Sequence, residues 1–196
     1  MSAARRKIIV YIATSADGFI ARRDGGVEWL NRPRVGRNYD MAEFYESIDA
    51  ILWGRKTLYP KGLSEKPVTS LASYGRIKNY IFSRTPPAVA PAGAEFVSDP
   101  IARFAERLRA APGKDIWMMG GGEIIGSFLD EAQIDEFIIN VIPIFIGEGI
   151  PLIAPRHRAV PLHLLSLKRF EDGVVRLHYR VDKAPSAGPR KRARKQ

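Results

Sequence analysis

Three short segments carry residue types suited to binding phosphate. Gly120, Gly121 and Gly122 stand between an apolar run, DIWMM, and a helix-like run, EIIGSFL, with Glu123 directly after them. Glycines let an anion approach the backbone, and a helix start presents unpaired N–H groups at the positive end of its dipole. One glycine suffices for a plain strand-to-helix turn, so three in a row point to phosphate. The spacing is not that of the dinucleotide fingerprint. Gly120 and Gly122 fit G-x-G, but Gly126 comes one place late, and no acidic residue ends a following strand at the expected distance. The second segment is Gly54-Arg55-Lys56-Thr57, which offers charge, a hydroxyl and the donors of a helix start. The third is Ser83-Arg84-Thr85. Each follows a short apolar run read as a strand. Ligands of open α/β sheets collect at the carboxyl ends of strands, so three such ends describe a cradle for a ligand with several phosphates.

A carboxylate completes the set of candidates. In DMAEFYESI, residues 40–48, Met41, Phe44, Tyr45 and Ile48 recur at helical spacing, and Asp40 stands at the start. Asp40 is there either as a helix cap or as an acid facing a ligand. Asp17, beside Gly18, is read as shaping a turn, and Asp135-Glu136 as a solvated loop. His157, His163 and His178 have neither metal-ligand spacing nor an adjoining carboxylate pattern, so no metal site is expected. Trp29 and Trp53 are read as core or pocket wall.

The elements that must position these residues alternate. Strands are expected over 7–13, 50–53, 79–83, 115–119 and 136–146, the last with Pro143 at a bulge or edge. Helices are expected over 40–48, after the Asp99-Pro100 start (cap and first helical residue), and over 120–130. Ile101, Phe104, Ala105 and Leu108 line one face of the helix after Pro100. The stretches 15–26, 60–76 and 85–94 read as loops. Val175, Leu177, Tyr179 and Val181 alternate with Arg176, His178 and Arg180; with 162–170 and a turn at 171–173 they form a hairpin. The pattern is α/β: one domain over 7–182 with a mostly parallel twisted sheet, flanking helices and a C-terminal antiparallel hairpin.

Composition narrows the class. The chain has 196 residues, enough for one medium domain, and no cysteine, which excludes disulfides, thiolate metal sites and a cysteine nucleophile. No run approaches the roughly 18 apolar residues of a membrane span. The basic N-terminus is followed by an apolar run, 8–13, too short for a signal peptide. A reducing, cytoplasmic setting is expected. The net charge is +10, but residues 183–196 carry six basic and no acidic side chains, which leaves +4 for the rest. That segment, KAPSAGPRKRARKQ, is expected to be a disordered basic tail. A nucleic-acid binder working through the tail is the alternative class: its binding would be sequence-independent and salt-sensitive, although the tail lacks aromatic residues for stacking.

IATSADGFIA, GRKT, KNYIFSRT, the strand leading into GGGE, and IPIFIGEGIPL occur in that order. The set resembles the dihydrofolate-reductase-like superfamily. The resemblance runs over about 7–182 and is strongest to the branch that holds the reductase domain of riboflavin biosynthesis and its stand-alone bacterial relatives. It implies an NADPH-dependent reductase acting on a small planar heterocycle, pterin- or pyrimidine-like. Gly54, Arg55, Lys56, Thr57, Ser83 and Arg84 would take the adenosine phosphates, and Gly120, Gly121 and Gly122, followed by Glu123, the pyrophosphate. Ala13 and Ile20 would lie beside the nicotinamide, with the loop 15–26 closing over it. A cis peptide between Gly120 and Gly121 is implied as well. Asp40 would hold the substrate ring, Phe44 would pack on it, and Trp29 would form pocket wall.

Three departures argue against folate. Arg76 is one residue out of frame, Glu123 stands where a basic residue is usual, and the step from Asp40 to GRKT is short. Riboflavin-pathway reduction of a ribosylamino-pyrimidine is the alternative within the family, although no zinc deaminase pattern accompanies the chain. The resemblance also implies a homodimer paired through sheet edges, with the strand at 136–146 contributing.

Overall fold

The run IIVYIATS forms β1 (Ile8–Ser15), an interior strand. Its β-branched residues suit a pleated surface, and a strand covered on both faces reads as a continuous apolar run. The structure, a computed structural model, describes residues 5–32, 39–59, 71–87, 90 and 92–183. The basic tail beyond Lys183 and residues 60–70 of the irregular stretch lie outside the described residues.

After β1 come β2 (Phe19–Ala21), α1 (Met41–Ser47), β3 (Ile48–Gly54), α2 (Arg55–Leu58), β4 (Lys78–Phe82) and β5 (Ala94–Val97). Then follow α3 (Ile101–Ala110), β6 (Asp115–Gly120), α4 (Gly122–Asp130), β7 (Glu136–Ile142), β8 (Ile150–Pro151), β9 (Leu162–Arg169) and β10 (Val175–Val181). Eight strands form one sheet in the order β5-β4-β3-β6-β1-β7-β10-β9. Strands β5 to β7 of that order run parallel, and β10 and β9 close the sheet antiparallel as the expected hairpin. Gly173 makes the hairpin turn with a positive φ of 86°.

Each face of the sheet has its own core. On one, Ile8, Val10, Leu52, Ile116 and Met118 meet Phe104 and Leu108 of α3 and Ile125 and Phe128 of α4. On the other, Ile9, Tyr11, Ile51, Trp53 and Trp117 meet Phe44 of α1 together with Leu58, Tyr59 and Leu71. The second core is largely aromatic: Trp117 stands edge-on to Tyr11, Phe44, Tyr45 and Tyr74.

Several expectations change. Neither Asp40, which does hold the cap position of α1, nor Asp99 makes a side-chain cap bond. Pro100, not Asp99, occupies the cap position of α3, and the Asp99 carboxylate accepts from Arg107 at 2.6 Å instead. Asp40 precedes α1 in a left-handed conformation and makes no side-chain cap bond. Strand β7 stops at Ile142, one residue before Pro143, which has no N–H to continue a ladder. The supposed loop 15–26 contains β2, which pairs with β8, and the connector 85–94 delivers a strand, β5. The segment 136–146 is not a sheet edge, because β7 lies between β1 and β10; the edges are β5 and β9.

Asp135 and Glu136 are not a solvated loop either. Arg109, with a side chain only 3% exposed, donates to Asp135 at 2.6 Å, to the Gln133 carbonyl at 2.7 Å and to Gln133 Oε1 at 2.6 Å. Asp135 also accepts from the Ile8 N–H and Lys183. Burial pushes the Asp135 carboxyl up, but Lys183, the Ile8 N–H and Arg109 outweigh it and hold the group below its ordinary value. Glu136 accepts from Lys7 at 2.7 Å and faces His178 Nε2 at 2.9 Å, so His178 does adjoin a carboxylate. These pairs lash the starts of β1 and β7 to α3 and β10.

Replacing Asp135 leaves Arg109 buried without its counter-charge, a loss of about 3 kcal/mol for a buried pair. Chemical denaturation should show Asp135→Ala destabilised by that order at neutral pH. A carboxylate with a depressed native pKa stabilises fully above its unfolded value, and the effect is lost as the pH falls through the native one. The gap between wild type and variant should therefore narrow in acid. A gap that is constant with pH would rule out the charge as its source.

Candidate active site

The parallel strands end along one edge of the sheet, and the phosphate-type segments stand there. Gly120 closes β6 with a φ of 116°, the Gly120–Gly121 peptide is cis as the resemblance implied, and α4 starts at Gly122. The neighbouring strand β3 ends at Gly54 and runs into α2, which holds Arg55, Lys56 and Thr57. The two segments touch. The Gly121 N–H donates to Thr57 Oγ1 at 2.6 Å, and Lys56 Nζ donates to Glu123 Oε1 at 2.9 Å on the exposed side. A Cβ on Gly54 would stand 3.2 Å from Ile124, so that glycine lets β3 end close against α4.

Ser83 and Arg84 lie one strand further out, since Phe82 is level with Gly54 across β3 and β4. Ser83 is buried, and its hydroxyl accepts from the Thr85 N–H at 3.2 Å; Arg84 is exposed. Among the described residues, no hydrogen-bond or ion-pair partner is bound to the guanidinium of Arg55 or Arg84.

The three consecutive glycines have three different reasons. Gly120 adopts a φ that other residues rarely take. Gly122 is required by close approach: a Cβ there would stand 2.4 Å from the Pro151 carbonyl, and the Gly122 carbonyl accepts from the Ala154 N–H at 3.0 Å. Only Gly121, with ordinary dihedrals, is left for a ligand. A Cβ on it would meet Thr57 Oγ1 at 3.0 Å and Ile20 Cδ1 at 3.8 Å. The inference that one glycine would suffice for the turn thus fails: Gly120 is required by its φ, and Gly122 by the packing of 151–154 on the helix start, which is not visible in the spacing.

On the other side of the same edge, Ala13 of β1 is level with Asn140 of β7, Asn140 with Arg176 of β10, and Arg176 with Lys168 of β9. Side chains level with one another share a face, so these four stand in one row. Arg176 reaches back across β7. Its Nε donates to Asn140 at 3.0 Å, Nη2 to the Tyr11 hydroxyl at 2.6 Å and to the Tyr39 carbonyl, and Nη1 to Asp40 Oδ2 at 2.9 Å. Tyr11 donates to the same Tyr39 carbonyl at 2.6 Å. Tyr39 and Asp40 both have left-handed backbones, φ 47° and 51°, and the two bonds to the Tyr39 carbonyl hold that uncommon conformation.

Lys168 Nζ donates to Asp40 Oδ2 at 2.7 Å. The Lys168 ammonium, against a smaller opposing effect of burial, and then the Arg176 guanidinium hold the Asp40 carboxyl below its ordinary range. The carboxylate is 31% exposed, so a solute can reach it. Arg176, Lys168, Tyr11 and Asn140 were not anticipated. The period of two in the hairpin puts Arg176 level with Lys168, but nothing in it says which face meets α1.

The remaining predicted residues are less exposed. Phe44 is buried, with its ring 4.5 Å from Tyr11 and 5.5 Å from Trp117. Trp29 is buried with Ile142 and Val174, against Ala13 and Tyr39. Ala13 and Ile20 are half-buried. Asp17 does more than shape its own turn: it accepts from Ser15 Oγ at 2.5 Å and from the Gly147 N–H at 2.7 Å, which ties the loop after β1 to the segment after β7. No cluster of metal-ligating side chains occurs among the described residues.

Residues 100–176 match the RibD C-terminal domain family. Two Bacillus subtilis (strain 168) proteins, the uncharacterized YwjB and YyaP, are each 34% identical to this chain; the matches cover 89% of it and 97% and 95% of them. Among solved structures, a protein ascribed to riboflavin biosynthesis from Shewanella sp. PV-4 superposes with a TM-score of 0.74 at 24% identity, over 90% of this chain and 99% of that one. Dihydrofolate reductase from Enterococcus faecalis, solved with NADP(H), superposes at 0.63 with 12% identity, over 90% and 97%. The chain belongs to one family with YwjB and YyaP, matches the RibD C-terminal domain over residues 100–176, and has the dihydrofolate-reductase-like fold. A deaminase and reductase from Thermotoga maritima shares the fold at a TM-score of 0.69 and 16% identity, with this chain spanning 57% of it.

The glycine assignments separate by measurement. Gly122→Ala must displace the 151–154 segment and should cost about 1–3 kcal/mol of stability, as overpacking does. Gly121→Ala meets only a side-chain hydroxyl and should cost less than about 1 kcal/mol. Equal losses in thermal or chemical denaturation would refute the distinction.

Proposed function

We propose that this protein, which has the dihydrofolate-reductase-like fold, is an NADPH-dependent reductase that reduces a small planar heterocycle, pterin- or pyrimidine-like. The observation that carries the reading is the contact of the Gly121 N–H with Thr57, which joins two anion-binding segments from separate strands at the ligand end of the sheet. The donor set fits a dinucleotide with an extra phosphate. The guanidinium groups of Arg55 and Arg84 have no partner among the described residues, and Gly121 carries no Cβ, which would crowd Thr57. In this reading Arg55, Lys56, Thr57, Ser83 and Arg84 hold the adenosine phosphates. Gly121, with its neighbours, holds the pyrophosphate, and Ala13 and Ile20 border the nicotinamide. NADPH supplies the hydride when bound.

Asp40 holds the substrate ring by its N–H edge. Ionised at neutral pH, it orients the ring and balances its charge; it does not donate the proton, for which water is the available source. Phe44 and Trp29 set the packing behind Tyr11 and Ala13. The resemblance of the ordered motifs to the riboflavin-biosynthesis reductase domain supports a pyrimidine as one form of the substrate. The protein is further proposed to be a homodimer. Strand β9 is a sheet edge exposed along its whole length, and it displays Leu162, Leu164, Leu165 and Leu167.

Fluorescence titration tests the cofactor. NADPH should bind more tightly than NADH, and losing one charge-assisted contact costs about 1.5–3 kcal/mol. Arg55→Ala and Arg84→Ala should weaken NADPH by about tenfold or more and NADH far less. Equal losses for the two cofactors would mean that neither arginine reads the 2′-phosphate, and a wild type that binds neither would overturn the reading.

A further inference from the structure

Asp40 does not face its ligand as a bare carboxylate. Both its bonds fall on one oxygen: Lys168 Nζ at 2.7 Å and Arg176 Nη1 at 2.9 Å both reach Oδ2. Among the described residues, nothing is bonded to Oδ1. The two cations differ in what they have left. Arg176 is 12% exposed and spends its guanidinium on Asn140, Tyr11, the Tyr39 carbonyl and Asp40. Lys168 is 52% exposed, rests 5.0 Å over the Phe170 ring, and makes one hydrogen bond among the described residues, to Asp40. An ammonium has three donors, so two remain.

A ligand edge that meets this pair finds one acceptor, Oδ1, beside one cationic donor, Lys168 Nζ. An isolated carboxylate takes a pair of N–H groups on its two oxygens, but here the second oxygen already accepts from two cations. The complementary edge is an N–H next to a carbonyl oxygen, as in a lactam. An edge with two donors, as in a diamino ring protonated on a ring nitrogen, would set an N–H against the ammonium, and a site that leaves polar groups mispaired rejects such an analogue strongly.

We infer that Lys168 is a specificity-determining residue of the substrate site, one that selects oxo-heterocycles presenting N–H beside C=O over their amino counterparts. The inference rests on the proposed role of Asp40 as the group that holds the substrate ring. Arg176 is a positioning residue here, fixing Asp40 and the Tyr39 carbonyl without contact to the ring.

Two ring probes test this in the full-length protein loaded with NADP+, at a pH where the second is protonated on its ring: 2-amino-4-oxopyrimidine and 2,4-diaminopyrimidine, titrated by calorimetry or ligand-observed NMR. The wild type should prefer the oxo probe by about tenfold or more, the factor expected for a charge-assisted hydrogen bond. Lys168→Met should erase that preference, chiefly by weakening the oxo probe. Lys168→Arg, which keeps a cationic donor, should retain most of it, and Asp40→Asn should weaken both probes. Lys168 is exposed enough that its variants should fold, which circular dichroism checks. A wild type that favours the diamino probe, or a preference that Lys168→Met leaves unchanged, overturns the inference and leaves the Asp40 reading standing if Asp40→Asn still weakens binding. Binding of neither probe, or binding indifferent to Asp40→Asn, overturns both.

Discussion

A strand covered on both faces has no room for an unpaired ionisable side chain, and that constraint organises the molecule. β3, β6 and β1 lie between helices on either side, with Ile8, Ile51, Leu52, Ile116 and Met118 essentially inaccessible. Charge and hydrogen-bonding capacity are therefore driven to the strand ends. At the beginnings of the strands the outcome is structural: Arg109 with Asp135, Arg6 with Asp49, and Lys7 and His178 with Glu136. At their carboxyl ends the guanidinium groups of Arg55 and Arg84 are left without a partner among the described residues, while Asp40, before α1, keeps one carboxylate oxygen unbonded among them.

The sheet leaves that pattern only where it turns antiparallel. β10 and β9 carry polar residues on the face that β1 and β7 share with α1, and Arg176 uses that freedom to extend over β7 as far as Tyr11. Burying a guanidinium is costly unless its donors are satisfied. Arg176 meets that condition with two side-chain oxygens, a carboxylate and a backbone carbonyl. The same bonds hold the two left-handed residues that place Asp40 outside α1. Electrostatics and backbone conformation at the start of α1 are thus one arrangement.

The glycine-rich turn shows a similar economy. Gly120 sets the backbone direction, Gly122 admits the 151–154 segment, and Gly121 stays open beside Thr57. The segment that crosses Gly122 continues from the one that Asp17 fastens to the loop after β1. The glycine-rich turn and the loop after β1 are therefore braced through one stretch of chain, 143–154, rather than through the sheet alone.

By itself the sequence determined the alternation of strands and helices, the closing hairpin and the segments at the strand ends, because these depend on local periodicity and on glycine and charge at short spacing. Apolar runs such as IIVYIATS and the strict alternation of VRLHYRV leave little choice of local structure. The ordered motifs were equally legible as a family resemblance. Only the tertiary structure decided which polar residues meet. Asp135 and Glu136 read as a loop because their partners Arg109, Lys7 and His178 come from other elements. Asp40 read as a cap or a bare acid because Lys168 and Arg176 lie more than 120 residues further along the chain. Which of three glycines is free for a ligand depended on the return of 151–154 across the helix start. Side-chain chemistry is written locally, but a carboxylate's free oxygen and a cation's spare donor are fixed by what packs against them.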